Sequence, residues 1–279
     1  MSVSVLIPTL NEERNISECL ASVAWSDDVV VVDSNSVDRT GGIARAAGAR
    51  VVEFKWDGNL PKKKNWALAN VDWRHPWVLV LDADERVTPE LAEELLARVA
   101  NTDCRGFLLN RRLIFLGRWI KHCGYYPSWN VRLFLHRRGR FESLVDGDTG
   151  SGDNEVHEHV IVDGLVGRLR GELVHHAYPD IATWVEKHNR YSNWEAAVEV
   201  WGVQSGRLPS GTAAAARRHA RILTRKLPCR PTLRFLYSYV LHGGFLDGYP
   251  GYVLSRLMAT YELLSLLKAR EARQRRTTP

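Results

Sequence analysis

The sequence predicts an α/β fold: a doubly wound, mostly parallel sheet flanked by helices, followed by a basic helical appendage at the C-terminal end. Three observations predict it. Short apolar, β-branched runs alternate with segments of helical periodicity through residues 1–100. Acidic residues stand where successive strands end, the edge at which open α/β sheets bind ligands. Charge is also unevenly spread. Residues 205–279 carry 14 Lys/Arg against 3 acids, a net +11, which leaves −5 for the rest of a chain whose total is +6.

Each element has a local cause. Ser2-Val3-Ser4-Val5-Leu6-Ile7-Pro8 is a strand stopped by its proline. Thr9-Leu10-Asn11-Glu12-Glu13 leads into a helix with Ile16, Leu20 and Val23 on one face. Asp28 to Asp33 is a second buried strand, ending in an acid. Ser34 to Thr40 is a polar turn rich in capping side chains, and the helix through Ile43, Ala46 and Ala47 stops at Gly48. Arg50 to Phe54 is a third strand, and Lys62-Lys63-Lys64-Asn65 opens a helix that runs to Ala69. Pro76 bounds the fourth strand, residues 77–81, which runs straight into Asp82-Ala83-Asp84-Glu85. Thr88-Pro89-Glu90 then starts a helix with a cap hydroxyl, a proline in the first turn and an acid at the positive dipole end. Leu91, Leu95, Leu96 and Val99 form its apolar face.

After residue 104 the alternation changes. Residues 106–110 and 130–135 read as strands in a mixed portion of the sheet. Between them lies an aromatic-rich loop whose rings, beside Arg118, suit either a sugar face or a small aromatic core. Residues 143–155 are Gly/Asp/Ser-rich and read as a mobile loop, followed by Val156-His157-Glu158-His159. Val160 to Val162 and Leu173 to Tyr178 come next. Residues 180–204 are helical, and the stripe Ile181, Trp184, Val185, His188 and Tyr191 reads as core. A polar link, 204–212, precedes alternating basic and apolar residues. No run there reaches the roughly 20 apolar residues needed to span a bilayer. Two readings stand: basic amphipathic helices lying on a membrane surface, or a helical pair packed on the domain.

Ten Trp and an apolar fraction of 45% in 279 residues allow a substantial core. Cys19, Cys104, Cys123 and Cys229 form no CxxC pair and read as reduced thiols in the cytoplasm. The N-terminus enters a strand at once, with no signal-peptide pattern. The Asp82-x-Asp84 spacing at a strand end suits a hard divalent cation, Mn²⁺ or Mg²⁺, which prefers oxygen ligands. Solvated loop acids are the alternative, but acids at two other strand ends, Glu12 and Asp33, favour a site. No Gly-x-Gly-x-x-Gly follows the first strand and no P-loop occurs, which counts against a dinucleotide oxidoreductase and a P-loop NTPase.

Taken together, Val5-Leu6-Ile7-Pro8-Thr9-Leu10-Asn11-Glu12, Val31-Val32-Asp33-Ser34-Asn35-Ser36-Val37-Asp38-Arg39-Thr40 and Leu81-Asp82-Ala83-Asp84-Glu85 resemble the donor-binding half of glycosyltransferase family 2, of GT-A fold. A weaker likeness through 130–190 (Arg132-Leu133-Phe134, Val156-His157-Glu158, His175-His176-Ala177-Tyr178) resembles the branch of bacterial lipopolysaccharide-core glucosyltransferases. The resemblance implies a metal-dependent, inverting transfer of a sugar from a nucleoside diphosphate donor, UDP favoured, to a hydroxyl of a lipid-linked or lipopolysaccharide-like acceptor. It implies that Pro8, Thr9, Asn11, Glu12, Asp33, Ser34, Lys64, Asn65, Asp82 and Ala83 line the donor site, with Asp33 on the base and Asp82 on the ribose side. Asp84 is implied as the metal ligand, with His175 or His176 beside it, and Glu158 as the general base. Glu85 is expected to open the following loop rather than join the chemistry. The signature Gln-x-x-Arg-Trp of processive synthases is absent, which points to transfer of a single sugar.

On this reading residues 1–204 are the catalytic domain, 1–100 its donor half and 101–204 its acceptor and base half. Residues 205–279 are the basic appendage, and the enzyme sits peripherally on the inner face of the cell membrane, without nucleic acid. The alternatives are a nucleotidyltransferase on a similar sheet, a zinc hydrolase built on His157, His159, His175 and His176, and a basic nucleic-acid-binding module. The first lacks a basic Gly-rich loop after the first strand, the second a His-Glu-x-x-His spacing, the third any binding motif.

Overall fold

A computed structural model of the chain describes residues 2–58, 61–142, 159–201 and 229–277. The described residues fall into two compact units. One comprises those within 1–114, 126–142 and 153–177, the other those within 115–125 and 178–279.

The first unit is built on a sheet whose strands run in the order β3 (Arg50–Glu53), β2 (Val29–Asp33), β1 (Val3–Thr9), β4 (Trp77–Val80), β8 (Trp129–Leu135), β6 (Gly106–Phe115), β11 (Val166–Tyr178) and β5 (Glu85–Val87). The first four strands pair in parallel, joined by α1 (Ile16–Ser22), α2 (Thr40–Ala46) and α3 (Lys63–Asn70). From β8 onward the pairings change sense: β4 with β8, β8 with β6 and β11 with β5 are antiparallel. Strands β9 (Gly139–Phe141) and β10 (Val160–Val162) form a separate antiparallel pair.

Burial on both faces explains the continuous apolar runs. Successive side chains of a strand point to opposite faces. Val5, Ile7, Val31, Leu79 and Leu81 enter one core with Ile16 and Leu20 of α1 and with Leu91 and Leu95 of α4 (Pro89–Ala100). Leu6, Val30, Val32, Val78 and Val80 enter the other with Ala67 and Leu68 of α3. The Thr88 hydroxyl accepts from the Leu91 backbone N–H, so α4 starts at the cap its sequence predicts.

Two strands are longer than the sequence predicts. β6 continues to Phe115 because Leu113 and Phe115 keep the period of two and are buried. β11 begins at Val166, and Gly167 and Gly171 hide its alternation. Gly171 is required there: a Cβ would lie 2.5 Å from Leu91 Cα and 2.9 Å from Leu91 N.

The second unit is helical. α5 (Ile181–Trp201) packs against α7 (Gly248–Thr277). The His188 ring stacks on Trp184 at 3.6 Å and meets Tyr261 edge-on at 5.1 Å. The predicted core stripe of α5 is therefore only partly core. Trp184 and His188 are buried, while Ile181 and Val185 are 42% and 48% exposed, because the face turned to α7 is the one carrying 184 and 188. Along α7, Leu254, Met258, Tyr261, Ser265 and Ala269 are buried at helical spacing, and Lys268 Nζ donates to Asn189 O and Asn189 Oδ1 of α5. α7 thus buries one face against α5 of the same unit. No helix among the described residues is long and apolar enough to cross a membrane.

The close approach of β11 to α4 makes Gly171→Ala a sharp test of the fold. Overpacking against a helix backbone should lower stability by about 1–3 kcal/mol or more, read by urea denaturation.

Candidate active site

The carboxyl ends of β1, β2 and β4 converge on one edge, and the loops leaving them are stitched together. Thr9 Oγ1 donates to Asp33 Oδ1 at 2.7 Å, and the Ser36 backbone N–H donates to Asp33 Oδ2 at 2.8 Å. Asn11, in a left-handed conformation at φ 55°, donates its N–H to Ser36 Oγ, while its Oδ1 accepts from the Val37 N–H. The Glu12 N–H donates to Thr40 Oγ1, and Glu12 Oε2 accepts from Asn15 Nδ2. Pro8 lies within β1 opposite Val32, and the Ser34 N–H donates to Thr9 O. Thus the structure brings Pro8, Thr9, Asn11, Glu12, Asp33 and Ser34 to one edge, with the Asp33 carboxylate turned inward as a tie between two loops.

From the neighbouring helix, buried Lys63 donates to Thr9 O at 2.7 Å. Lys64 Nζ lies 3.1 Å from Asp82 Oδ1 and over the Phe141 ring. Asn65 points elsewhere: its amide donates to Phe141 O and accepts from the Phe141 N–H, bracing β9 as a backbone would.

Beyond β4 the Asp82-Ala83-Asp84-Glu85 turn is held by a buried ionic network. Arg132, on β8, places Nη2 2.6 Å from Asp82 Oδ2 and 2.8 Å from Glu85 Oε1. Arg111, on β6, reaches the same Glu85 oxygen at 3.2 Å. Glu85 is fully buried, and its Oε2 accepts from the Asp82 N–H. It opens β5 and clamps the turn, a larger part than opening a loop. Burial opposes ionisation of Asp82, but Arg132 and Lys64 outweigh it and hold the carboxyl well below the usual carboxylate range. Burial likewise opposes the charge on Arg132, and Asp82 and Glu85 reverse that, fixing the guanidinium as a permanent cation.

Asp84 faces β11. His175 Nε2 lies 3.4 Å from Asp84 Oδ1, and the His176 backbone N–H donates to Asp84 O at 2.8 Å. The structure therefore brings the His175 ring to the carboxylate, while the exposed His176 contributes its backbone. Partial desolvation, and after it Arg86, lower the pKa of the His176 ring. Among the described residues no group of three or more His, Cys, Asp or Glu surrounds a metal position. The Asp84 carboxylate nevertheless fits Mn²⁺ or Mg²⁺, hard cations that take their remaining oxygen ligands from phosphate and water, while the imidazole nitrogen beside it is a donor that suits Mn²⁺ better than Mg²⁺. Glu158, the expected base, lies outside the described residues, as do His157 and the 143–155 loop.

Sequence reasoning missed Arg132, Arg111 and Lys63 as site-building residues. The signal for Arg132 is present: a charge inside the apolar strand Val131-Arg132-Leu133-Phe134 needs a buried counter-ion.

The profile described as "Glycosyl transferase family 2" matches residues 4–150, more than half of the chain. A lipopolysaccharide core biosynthesis glycosyltransferase, LpsC of Rhizobium meliloti, is 29% identical, covering 96% of this chain and 92% of that protein. An uncharacterized glycosyltransferase of Rickettsia bellii is 28% identical, covering 96% and 86%. Among solved structures, S. aureus TarS aligns over 98% of this chain and 92% of that one, at 16% identity and a TM-score of 0.46.

Replacing Arg132 by Met leaves Asp82 with Lys64 alone and Glu85 with Arg111 alone, and should cost up to about 3–5 kcal/mol at neutral pH. Because the folded-state pKa of Asp82 is lowered, its contribution is present above the ordinary carboxylate value and is lost as pH falls through the lowered one. The difference between wild type and Arg132→Met, followed by urea denaturation across pH, should stay flat from about pH 7 to 5 and shrink below about pH 4.

Proposed function

The chain belongs to glycosyl transferase family 2, and from that premise we propose that it moves one sugar from a nucleoside diphosphate sugar, UDP favoured, to a hydroxyl of a glycolipid or cell-surface polysaccharide precursor. The transfer is inverting, metal-dependent and non-processive. The observation that carries the reading is the turn after β4, where Asp82 is tied to Lys64 and Arg132 while Asp84 stands beside His175. Two carboxylates two residues apart thus have different partners and different work.

In this reading Asp33, Thr9, Asn11, Glu12 and Ser34 form the nucleoside side of the pocket. The loop ties around Asp33 set its shape before donor arrives, which lowers the ordering cost of binding. Asp82, kept ionised by its two cations, accepts hydrogen bonds from the ribose hydroxyls, next to Ala83, whose backbone O is held by Arg86 Nη1. Asp84 and His175 hold Mn²⁺ or Mg²⁺, which when bound offsets the charge of the departing diphosphate. Glu158 accepts the acceptor hydroxyl proton as the new bond to the anomeric carbon forms and the bond to the diphosphate breaks, an in-line exchange that inverts the centre. The name of the LpsC relative supports an acceptor of lipopolysaccharide-core type. Such an acceptor places the enzyme at the inner face of the cell membrane.

Incubation with a panel of nucleotide sugars and Mn²⁺ should release nucleoside diphosphate, with nucleoside triphosphates untouched; consumption of triphosphate instead would mark a nucleotidyltransferase. Glu158→Gln should lower transfer by at least about 100-fold and leave the donor-induced thermal shift intact. Unchanged turnover in that variant sinks the base assignment. Asp84→Ala should abolish the Mn²⁺-dependent part of the donor-induced shift.

A further inference from the structure

We propose that the corner joining α6 (Arg230–Leu236) to α7 is a membrane-inserting element that seats the protein on an anionic phospholipid surface. Nine of the 18 large apolar or aromatic side chains exposed among the described residues fall between Leu233 and Tyr252. At the tip, Val240, Leu241, Phe245, Leu246 and Tyr249 are each 51–75% exposed. Scattered exposed side chains are ordinary on a protein surface, but a contiguous group on one corner marks an interaction site.

The corner is preformed. Residues 237–241 make a wide π-type turn in which the His242 N–H donates to Tyr237 O at 2.9 Å. Gly243 follows at φ 64°, and its N–H donates to Val240 O. A short 3-10 turn, Gly244–Asp247, leads into α7. The Tyr239 ring supports the corner from within, 5.2 Å from Phe235, 6.2 Å from Phe245 and 5.7 Å from Tyr252. Apolar side chains thus protrude from a hydrogen-bonded frame, so little order has to be gained on docking.

Charge selects the occupant. Cations surround the tip: Arg118 Nη2 donates to Leu246 O, Arg256 lies over the Phe235 ring, Arg234 lies over Tyr237, and Lys121 lies over Trp119. The one acid between Cys229 and Tyr261 is Asp247. It is buried, and its carboxylate accepts from the N–H groups of Lys121 and His122 and pairs with the His122 ring. Between Cys229 and Tyr261 the corner thus shows solvent aromatic and aliphatic side chains beside these cations, with its one carboxylate buried. Tyr and Trp at such a rim suit the headgroup layer, with Leu and Phe below it. A protein partner of similar greasiness would not require a rim of one sign, whereas an anionic leaflet does.

The proposal rests on the proposed function only in expecting a membrane-borne acceptor, and its test separates the two. Wild type should co-sediment with phosphatidylethanolamine/phosphatidylglycerol vesicles more than with phosphatidylcholine vesicles, and added salt should weaken the difference. Leu241→Glu and Phe245→Glu, both at exposed positions, should each weaken vesicle binding by at least about tenfold. Their far-UV circular dichroism and donor-induced thermal shift should match wild type. The pair Lys121→Glu and Arg256→Glu should remove the preference for the anionic vesicle. Vesicle binding that survives Leu241→Glu and Phe245→Glu overturns the proposal. So does a wild-type dimer in sedimentation velocity that Leu241→Glu dissociates while neither vesicle type is bound, since the corner is then an interface between copies. Loss of the donor shift in wild type strikes the glycosyltransfer reading and leaves the docking result standing.

Discussion

A guanidinium buried in the middle of a sheet is the constraint around which the catalytic half is arranged. Arg132 sits on β8, a strand otherwise committed to the core, and is only 6% exposed. Such a charge is tolerable only if ionised partners meet it there. The partners are Asp82, just past β4, and Glu85, at the start of β5. One side chain therefore couples the antiparallel half of the sheet to the turn that follows its parallel half. The pairing of β4 with β8 supplies the register, Leu79 opposite Leu133, that sets Arg132 beside the end of β4. Glu85 in turn accepts the Asp82 N–H, so the turn closes on itself.

Electrostatics then separates carboxylates that look alike in sequence. Asp82 has a cation on each oxygen, Lys64 on Oδ1 and Arg132 on Oδ2. A divalent ion approaching it would meet two positive charges already in place, a repulsion that a metal at Asp84 and His175 is further from. Glu85 is spent on structure. The same division holds at β2, where Asp33 joins Thr9 and Ser36. At this edge several acids build the walls, and the proposed metal chemistry falls to one of them.

The fold of residues 1–100 is legible in the sequence because a parallel sheet covered on both faces needs apolar residues at every position, and Val30-Val31-Val32 and Val78-Leu79-Val80-Leu81 have them. The cap at Thr88 is equally local. Long-range features are harder to read. β11 hides because two of its positions are glycines that make room for Phe107 and Leu91, neighbours far away in the chain. Asn65 resembles a ligand residue in its motif, yet its amide is engaged by Phe141, 76 positions on. The basic tail is a composition, and composition does not say which face of α7 is covered. The stripe from Leu254 to Ala269 is buried, and nine of the eleven large apolar or aromatic residues left exposed from Leu233 to Leu267 lie at or before Tyr252.

The choice between His175 and His176 shows how the core decides chemistry. The two are adjacent on a strand and so point to opposite sides. β11 pairs antiparallel with β5, Leu173 opposite Val87 and His175 opposite Glu85. Leu169, Leu173 and Ala177 share the parity of His175, and all three are buried. A slip of one residue would bring His176 to the position of His175. It would also turn those three out and force Arg168, Arg170, Val174 and His176 to the opposite side. Exposing the two leucines alone costs about 3–6 kcal/mol, and Glu172 would leave its bonds to Asn110 and Tyr126. No ligand preference is needed to select the histidine beside Asp84: the register is set by leucines that never touch the site.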